Sequence, residues 1–207
     1  MKKVTGFVSI ACAMLLALAP NAFAAPGDTL LRIRAANIDF NSSSSAGALS
    51  ANAISASNKI IPEVDASYFF TNNIAAELVL TYPQTVGINL HGASIGSVKA
   101  LPPTLTVQYH FMPDSASFRP YVGAGINYTY FSNVSLNAGG TPLKVSRSST
   151  GGALQAGFDI PFGTNMLFNV DVKKIYMKTD VSTAGGTYLS TLKLDPVLIS
   201  VGLGWKF

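Results

Sequence analysis

Residues 101–111 read LPPTLTVQYHF, and the alternation within them decides the fold. Leu101, Pro103, Leu105, Val107, Tyr109 and Phe111 take every second position, with Thr104, Thr106, Gln108 and His110 between them. Successive side chains of an extended chain point to opposite faces, so this pattern makes a strand with one apolar and one polar face. A helix would scatter the same residues around its axis. Toward the N-terminus the period recurs three times. Leu31, Ile33 and Ala35 interleave with Arg32 and Arg34; Pro62, Val64, Ala66 and Tyr68 with Glu63, Asp65 and Ser67; and Ile74, Ala76, Leu78, Leu80 and Tyr82 with Ala75, Glu77, Val79 and Thr81. Toward the C-terminus it recurs four times. Val122, Ala124, Ile126, Tyr128 and Tyr130 oppose Tyr121, Gly123, Gly125, Asn127 and Thr129, and Leu154, Ala156, Phe158 and Ile160 oppose Gln155, Gly157 and Asp159. Met166, Phe168, Val170 and Val172 oppose Asn169, Asp171 and Lys173, and Val197, Ile199, Val201, Leu203, Trp205 and Phe207 oppose Ser200, Gly202, Gly204 and Lys206. Eight two-faced strands are expected.

The composition says what solvent such strands suit. Charged residues are only 12% of the 207, about half the roughly 25% usual in soluble domains, and mean hydropathy is +0.34. Yet no run of about 18 apolar residues exists after the leader, because the longest uncharged stretch, residues 120–143, is broken by Asn127, Ser132, Asn133, Ser135, Asn137 and Gly139-Gly140. A helical membrane protein is therefore excluded. The 14 Lys and Arg are scattered, so the net charge of +4 offers no basic stripe for nucleic acid.

The leader itself is legible. Met1-Lys2-Lys3 is basic, residues 4–19 are apolar, and Ala22-Phe23-Ala24 places small residues where a signal peptidase reads. Cleavage after Ala24 removes Cys12, the chain's one cysteine, and leaves residues 25–207 as a single domain. No thiol chemistry remains. His91 and His110, 19 residues apart without a third ligand at recognisable spacing, make no metal site, and no cofactor is expected.

Alternation alone does not tell inside from outside, and a soluble sandwich or small barrel shows the same pattern. Three features favour a transmembrane barrel. Connections alternate between short (residues 71–73, 112–117 and 161–165) and long (41–58, 84–99, 132–148 and 179–190), as periplasmic turns and extracellular loops do. Of the 19 aromatic residues after Ala24, 15 lie on the apolar face, mostly at strand ends, where interfacial girdles need them. The polar face balances Arg32, Arg34, Arg119, Lys173 and Lys206 against Glu63, Asp65, Glu77, Asp159 and Asp171.

The segments LPPTL (101–105), FRPYVGAGINY (118–128) and LDP (194–196) resemble the recurrent segments of the outer-membrane protein W (OmpW) family, in order and spacing along all of residues 25–207. The closing SVGLGWKF, with Ser200, Gly202, Trp205 and Phe207, is similar to the signal read by the outer-membrane barrel assembly machinery. The resemblance implies an eight-stranded barrel in the outer membrane of a Gram-negative bacterium, in contact with outer-membrane lipids. It further implies passage of small hydrophobic molecules through an apolar lumen with sideways release into the lipid, and use as a receptor by bacteriocins or phages. A non-transporting structural or adhesive barrel is the alternative. Two departures stand out: the single tryptophan, Trp205, falls on the lipid face and cannot line a channel, and Lys174 breaks parity, which calls for a bulge or for emergence from the membrane.

With strand direction alternating, Arg32, Arg119, Asp159 and Lys206 fall toward the periplasmic end, and Arg34, Asp65, Glu77 and Asp171 nearer the middle. Together with Glu63 and Lys173 these form an expected ion network. Above it the polar face turns apolar, through Ala36, Ile38, Ile61, Val79, Pro102, Ala153 and Leu198, an expected substrate pathway. Pro62, Pro83, Pro102 and Pro103 gather near one rim, where missing N–H donors would weaken the ladder and leave a lateral gate between the third and fourth strands. His110, near Gln108 and Asp159, reads as a hydrogen-bonded filler, and no Ser-His-acid spacing marks an enzyme. The leader reading has a direct check: intact mass of the membrane-extracted protein should start at Ala25, and retention of residues 1–24 would refute it.

Overall fold

The computed structural model describes residues 25–40, 43–44, 54–115 and 117–207; the expected leader and most of the 41–58 connection lie outside the described residues. Within these, fifteen strands share one antiparallel sheet. They are β1 (Thr29–Phe40), β2 (Ser43–Ser44), β3 (Ile54–Ala56), β4 (Lys59–Phe69), β5 (Ile74–Leu80), β6 (Gln84–Leu90), β7 (Ala93–Leu101) and β8 (Thr104–His110), followed by β9 (Arg119–Ala138), β10 (Thr141–Val145), β11 (Ser148–Phe162), β12 (Met166–Ile175), β13 (Lys178–Thr183), β14 (Tyr188–Lys193) and β15 (Pro196–Lys206). Eight of them close on themselves in the order β1, β4, β5, β8, β9, β11, β12, β15, with β15 returning to β1. The closing seam runs from Leu30↔Lys206 to Phe40↔Pro196, and Thr29 and Phe207 exchange both backbone hydrogen bonds beneath it, at 3.1 and 2.8 Å. The proposed assembly signal, Ser200, Gly202, Trp205 and Phe207, therefore lies along the strand that closes the barrel.

Parity sorts the faces as the sequence implies, with the polar set inside. Arg32 is 0% exposed and its neighbour Ile33 is 55% exposed; Gln108 and His110 are buried while Val107 and Tyr109 are exposed. An outer surface of Ile33, Val64, Leu78, Leu105, Val107, Ile126, Leu154 and Ile199 is an apolar belt that suits hydrocarbon rather than water. Exposed aromatics edge it. Tyr68/Phe70, Tyr109/Phe111 and Phe118/Phe158 pair at 5.1, 5.2 and 5.1 Å beside the short turns, and Tyr82, Tyr128, Tyr130 and Tyr176 lie toward the other end.

The long connections depart from the expectation of irregular loops. Residues 84–101 form the β6–β7 hairpin, β9 continues well beyond the barrel wall before doubling back as β10, and β13–β14 make a third ribbon. The ribbons zip together, β7 onto β9 and β10 onto β13. Their cause is a short inward apolar stripe, Val86, Ile88, Val98, Ala100, Leu136, Leu143, Val181 and Leu192, all buried. Gly139 and Gly140, at φ +58° and +86°, supply the two consecutive left-handed residues that a tight β9–β10 hairpin turn requires.

Lys174 needs no bulge. The register runs unbroken through Leu154↔Lys174 and Lys174↔Val197, and the ammonium is met by the backbone carbonyl of Asp195 and by the Tyr176 ring, 6.0 Å from its centroid. The charge sits one residue from the end of β12, where a partner loop can reach it.

Two inward arginines depend on glycine opposite them. Arg34 pairs with Gly202 and Arg32 with Gly204 across the seam. A Cβ on Gly202 would lie 2.1 Å from the Ile33 carbonyl oxygen and 2.8 Å from Arg34 Cγ, whereas one on Gly152 meets nothing nearer than 3.8 Å. Gly202→Ala should therefore destabilise the barrel by about 1–3 kcal/mol through overpacking, seen as a lower temperature for loss of the heat-modifiable electrophoretic form, with Gly152→Ala close to wild type. Equal midpoints would refute the packing account.

Candidate functional site

The interior is layered along the barrel axis. At the short-turn end Leu30, Phe69, Ala75 and Leu167 make a small apolar floor. His110 packs above it, its ring centroid 4.9 Å from that of Phe69 and 5.1 Å from that of Tyr121, with Nε2 3.1 Å from Gln108 Oε1. The imidazole is thus occupied by packing and one hydrogen bond.

The next layer is ionic and buried. Arg32 reaches Asp65 at 3.0 Å, Glu77 at 3.2 Å and Asp159 at 2.9 Å, and its guanidinium lies 5.5 Å from the centre of the Tyr121 ring. Arg34 reaches Glu63 at 2.7 Å and Asp65 at 2.9 Å, with Glu77 and Asp171 at 3.7 and 3.9 Å. Lys173 lies 3.6 Å from Glu63 and 3.9 Å from both Glu77 and Asp171. Arg119 is buried directly across from Asp159 in the β9–β11 register. Lys206 departs from the expected set: it pairs with Asp28 at 3.5 Å, because β15 has carried it past Gly204, the position that faces Arg32, to the half-open rim.

Neutral side chains complete the layer, and charge counting alone gave them no part in it. Gln155 Nε2 donates to Glu77 at 2.9 Å and Asp171 at 2.8 Å; the Tyr121 hydroxyl donates to Asp171 at 2.9 Å; Asn169 Nδ2 donates to Asp159 at 2.8 Å; and Arg32 donates to Ser67 at 2.9 Å. Their signal was position: each sits at an inward parity slot between the charged ones. An eight-stranded barrel leaves an interior just wide enough for side chains to fill, and here they fill it with charge.

Above the ions the lining turns apolar. Ile38, Ile61, Val79, Pro102 and Leu198 line an apolar cavity, and Ala36 and Ala153 are buried in the same cluster. Phe40, Val86, Val98, Ala100, Phe131, Ile175, Met177 and Leu194 also line it, several from the ribbons of the long connections. A second, smaller apolar cavity lies among the ribbons and shares Val98, Phe131 and Leu194 with the first.

The wall beside this cavity is interrupted. The β4–β5 ladder ends at Val64↔Leu80 and the β3–β6 ladder begins at Ala56↔Ile88, so residues 57–63 and 81–87 face each other without ladder pairing. Across that gap the Ser57 N–H donates to Gly87 O at 3.1 Å and the Thr81 hydroxyl to Pro62 O at 2.9 Å. The interruption at the third and fourth barrel strands is shorter, between Val79↔Thr104 and Gln84↔Ala100. Side chains also meet backbone carbonyls beside these gaps. Gln84 Nε2 donates to Tyr82 O at 3.0 Å, and Asn127 Nδ2 donates to Pro102 O at 3.3 Å and Pro103 O at 3.1 Å. Of the four prolines singled out by sequence, Pro62 and Pro83 border the longer gap, and Pro102 and Pro103 the shorter.

Removing one member of a buried ion network strands its partners, at about 3–5 kcal/mol. Arg34→Ala or Asp171→Ala should lower thermal stability far more than Lys144→Ala, whose exposed ammonium donates to the Ala184 carbonyl at 3.1 Å. Indistinguishable melting of the three variants would refute the network.

Comparison with known proteins places the whole architecture. The family model described as "OmpW family" matches residues 25–207. The outer-membrane protein y4mB of Sinorhizobium fredii is 41% identical over 182 residues, covering 86% of this chain and 79% of its own. Outer membrane protein W of Vibrio cholerae is 36% identical over 152 residues, covering 68% and 70%. Among solved structures, the outer membrane protein OprG of Pseudomonas aeruginosa superposes with a TM-score of 0.78 at 28% identity, covering 90% of this chain and 99% of that one.

Proposed function

The chain belongs to the OmpW family of outer-membrane proteins, and we propose that it is a passive conduit which admits small hydrophobic molecules from outside and releases them sideways into the membrane. One observation carries this reading. An apolar cavity stands on an ionic layer that fills the cross-section below it, and the longest break in the wall lies beside that cavity. An apolar guest is welcome among Ile38, Ile61, Val79 and Leu198, and would have to part Arg34 from Glu63 and Asp65 to go straight down. The side route asks less. In lipid each unpaired backbone donor is costly, and Pro62 and Pro83 have none to leave unpaired, while Thr81 and Gln84 cover the carbonyls of Pro62 and Tyr82. A relative from Pseudomonas aeruginosa, 29% identical over 150 residues, is named as the dibenzothiophene metabolism operon protein PahQ, which agrees with an apolar cargo.

The gate of this proposal lies between β4 and the β5–β6 segment. The gap at the third and fourth strands is the weaker site, since ladder pairing resumes there sooner, between Val79↔Thr104 and Gln84↔Ala100. The test is uptake of naphthalene into vesicles whose outer leaflet carries lipopolysaccharide. The protein should speed entry over protein-free vesicles, and a verified disulfide between cysteines replacing Pro62 and Tyr82, across the gap, should remove most of the acceleration. No acceleration by the wild type would leave the structural or adhesive barrel as the reading. Full uptake through the cross-linked form would move the exit elsewhere.

A further inference from the structure

Resting on that reading and refining its cargo, we propose that the preferred guest is an apolar molecule carrying one hydrogen-bond donor, and that Gln84 is the residue that selects it. Four polar side chains line the otherwise apolar cavity: Glu63, Thr81, Gln84 and Thr104. Three are taken. Glu63 is held by Arg34 at 2.7 Å and Lys173 at 3.6 Å; the Thr81 hydroxyl donates to Pro62 O; and the Thr104 hydroxyl donates to Pro102 O at 3.2 Å while accepting from Asn127 Nδ2 at 2.9 Å. Gln84 is different. Its residue is 2% exposed, and its Oε1 is buried with no hydrogen-bond partner.

The orientation of this amide is fixed by its own contacts. Nε2 donates to Tyr82 O at 3.0 Å and lies 3.4 Å from the Thr81 hydroxyl oxygen. A carbonyl oxygen accepts and never donates, so turning the amide over would set two acceptors against each other. The nitrogen therefore stays on the strand break, and the oxygen of this cavity-lining residue is left as a buried, unmet acceptor. Leaving a buried acceptor unmet is unfavourable, and a guest hydroxyl or N–H relieves it. A guest with a second acceptor instead of a donor does not. The site consequently distinguishes molecules of the same size and skeleton by one proton, as sites built around an unsatisfied polar group do. Gln84 also stands immediately after Pro83, at the edge of the proposed exit, so the guest's polar end would be engaged where it leaves the cavity.

The test uses three probes with one ring system: naphthalene, 2-naphthol, which adds a donor, and 2-methoxynaphthalene, which adds an acceptor alone. Fluorescence titration of the detergent-solubilised protein should give 2-naphthol about tenfold tighter binding than 2-methoxynaphthalene, the factor typical of one hydrogen bond. Gln84→Met should erase that preference, bringing 2-naphthol and 2-methoxynaphthalene to equal affinity. Equal binding of the two substituted probes by the wild type, or no binding of any probe, overturns the proposal without recourse to a variant. A Gln84→Met protein that keeps its heat-modifiable migration but weakens all three probes alike overturns it as well, because Gln84 then only braces the break. Uptake separates this from the conduit itself: donor-selective binding without accelerated entry would sink the transport reading and leave the selectivity standing.

Discussion

Hydrocarbon offers nothing to a peptide N–H or C=O, so a sheet in lipid has to end where it began. The seam between β1 and β15, eleven register pairs long, with Thr29 and Phe207 locked beneath it, is how this chain meets that demand. Much else in the structure follows from closure with eight strands. The bore is narrow, so what faces inward must interlock. Gly202 and Gly204 give way to Arg34 and Arg32 because two bulky side chains cannot occupy both sides of one register pair. Closure also makes each break in the ladder a place where backbone groups need other partners, and Thr81, Gln84 and Asn127 provide them.

The ionic layer and the apolar chamber work as a pair. Charges this deep are stable only when each has partners, and the layer supplies them mutually: Glu77 is approached by Arg32, Arg34, Lys173 and Gln155 at once. The result is a stopper that an apolar molecule cannot cross without leaving ions unpaired in a low-dielectric space. The chamber above would be a dead end in an unbroken wall. It lies beside the gap between residues 57–63 and 81–87, and the proposed side exit rests on that position.

The ribbons mark where sequence reading ran short. Val86 and Ile88, or Val98 and Ala100, alternate as the barrel strands do, but over only a few residues and among Gly, Ser and Asn that also build loops. What turns them into strands is each other: β7 completes its pairing on β9, β10 on β13, and β3 on β6, contacts between segments far apart in the chain. The lining residue Phe131 belongs to the same region, in register with Ala100 of β7, while Leu194 lies between β14 and β15 with its N–H on Met177 O at 2.9 Å.

By itself the sequence determined the eight barrel strands and their faces, and it set the charged interior below the apolar one. Period two is a covalent property of an extended chain, and it holds wherever the strand ends up. It put Arg32, Arg34, Glu63, Asp65 and Glu77 on one face and Ile33, Val64 and Leu78 on the other, with aromatics at the ends, before any partner was known. Only the tertiary structure decided who meets whom. Arg32 finds Asp159 from 127 positions away, Lys206 falls outside the network to Asp28, the longer gap opens beside β4 rather than between the third and fourth strands, and Gln84 keeps an unmet oxygen. These depend on the stagger at which eight strands close and on where each ladder stops, which are set by the sum of pairings around the ring and are encoded in no single segment of the chain.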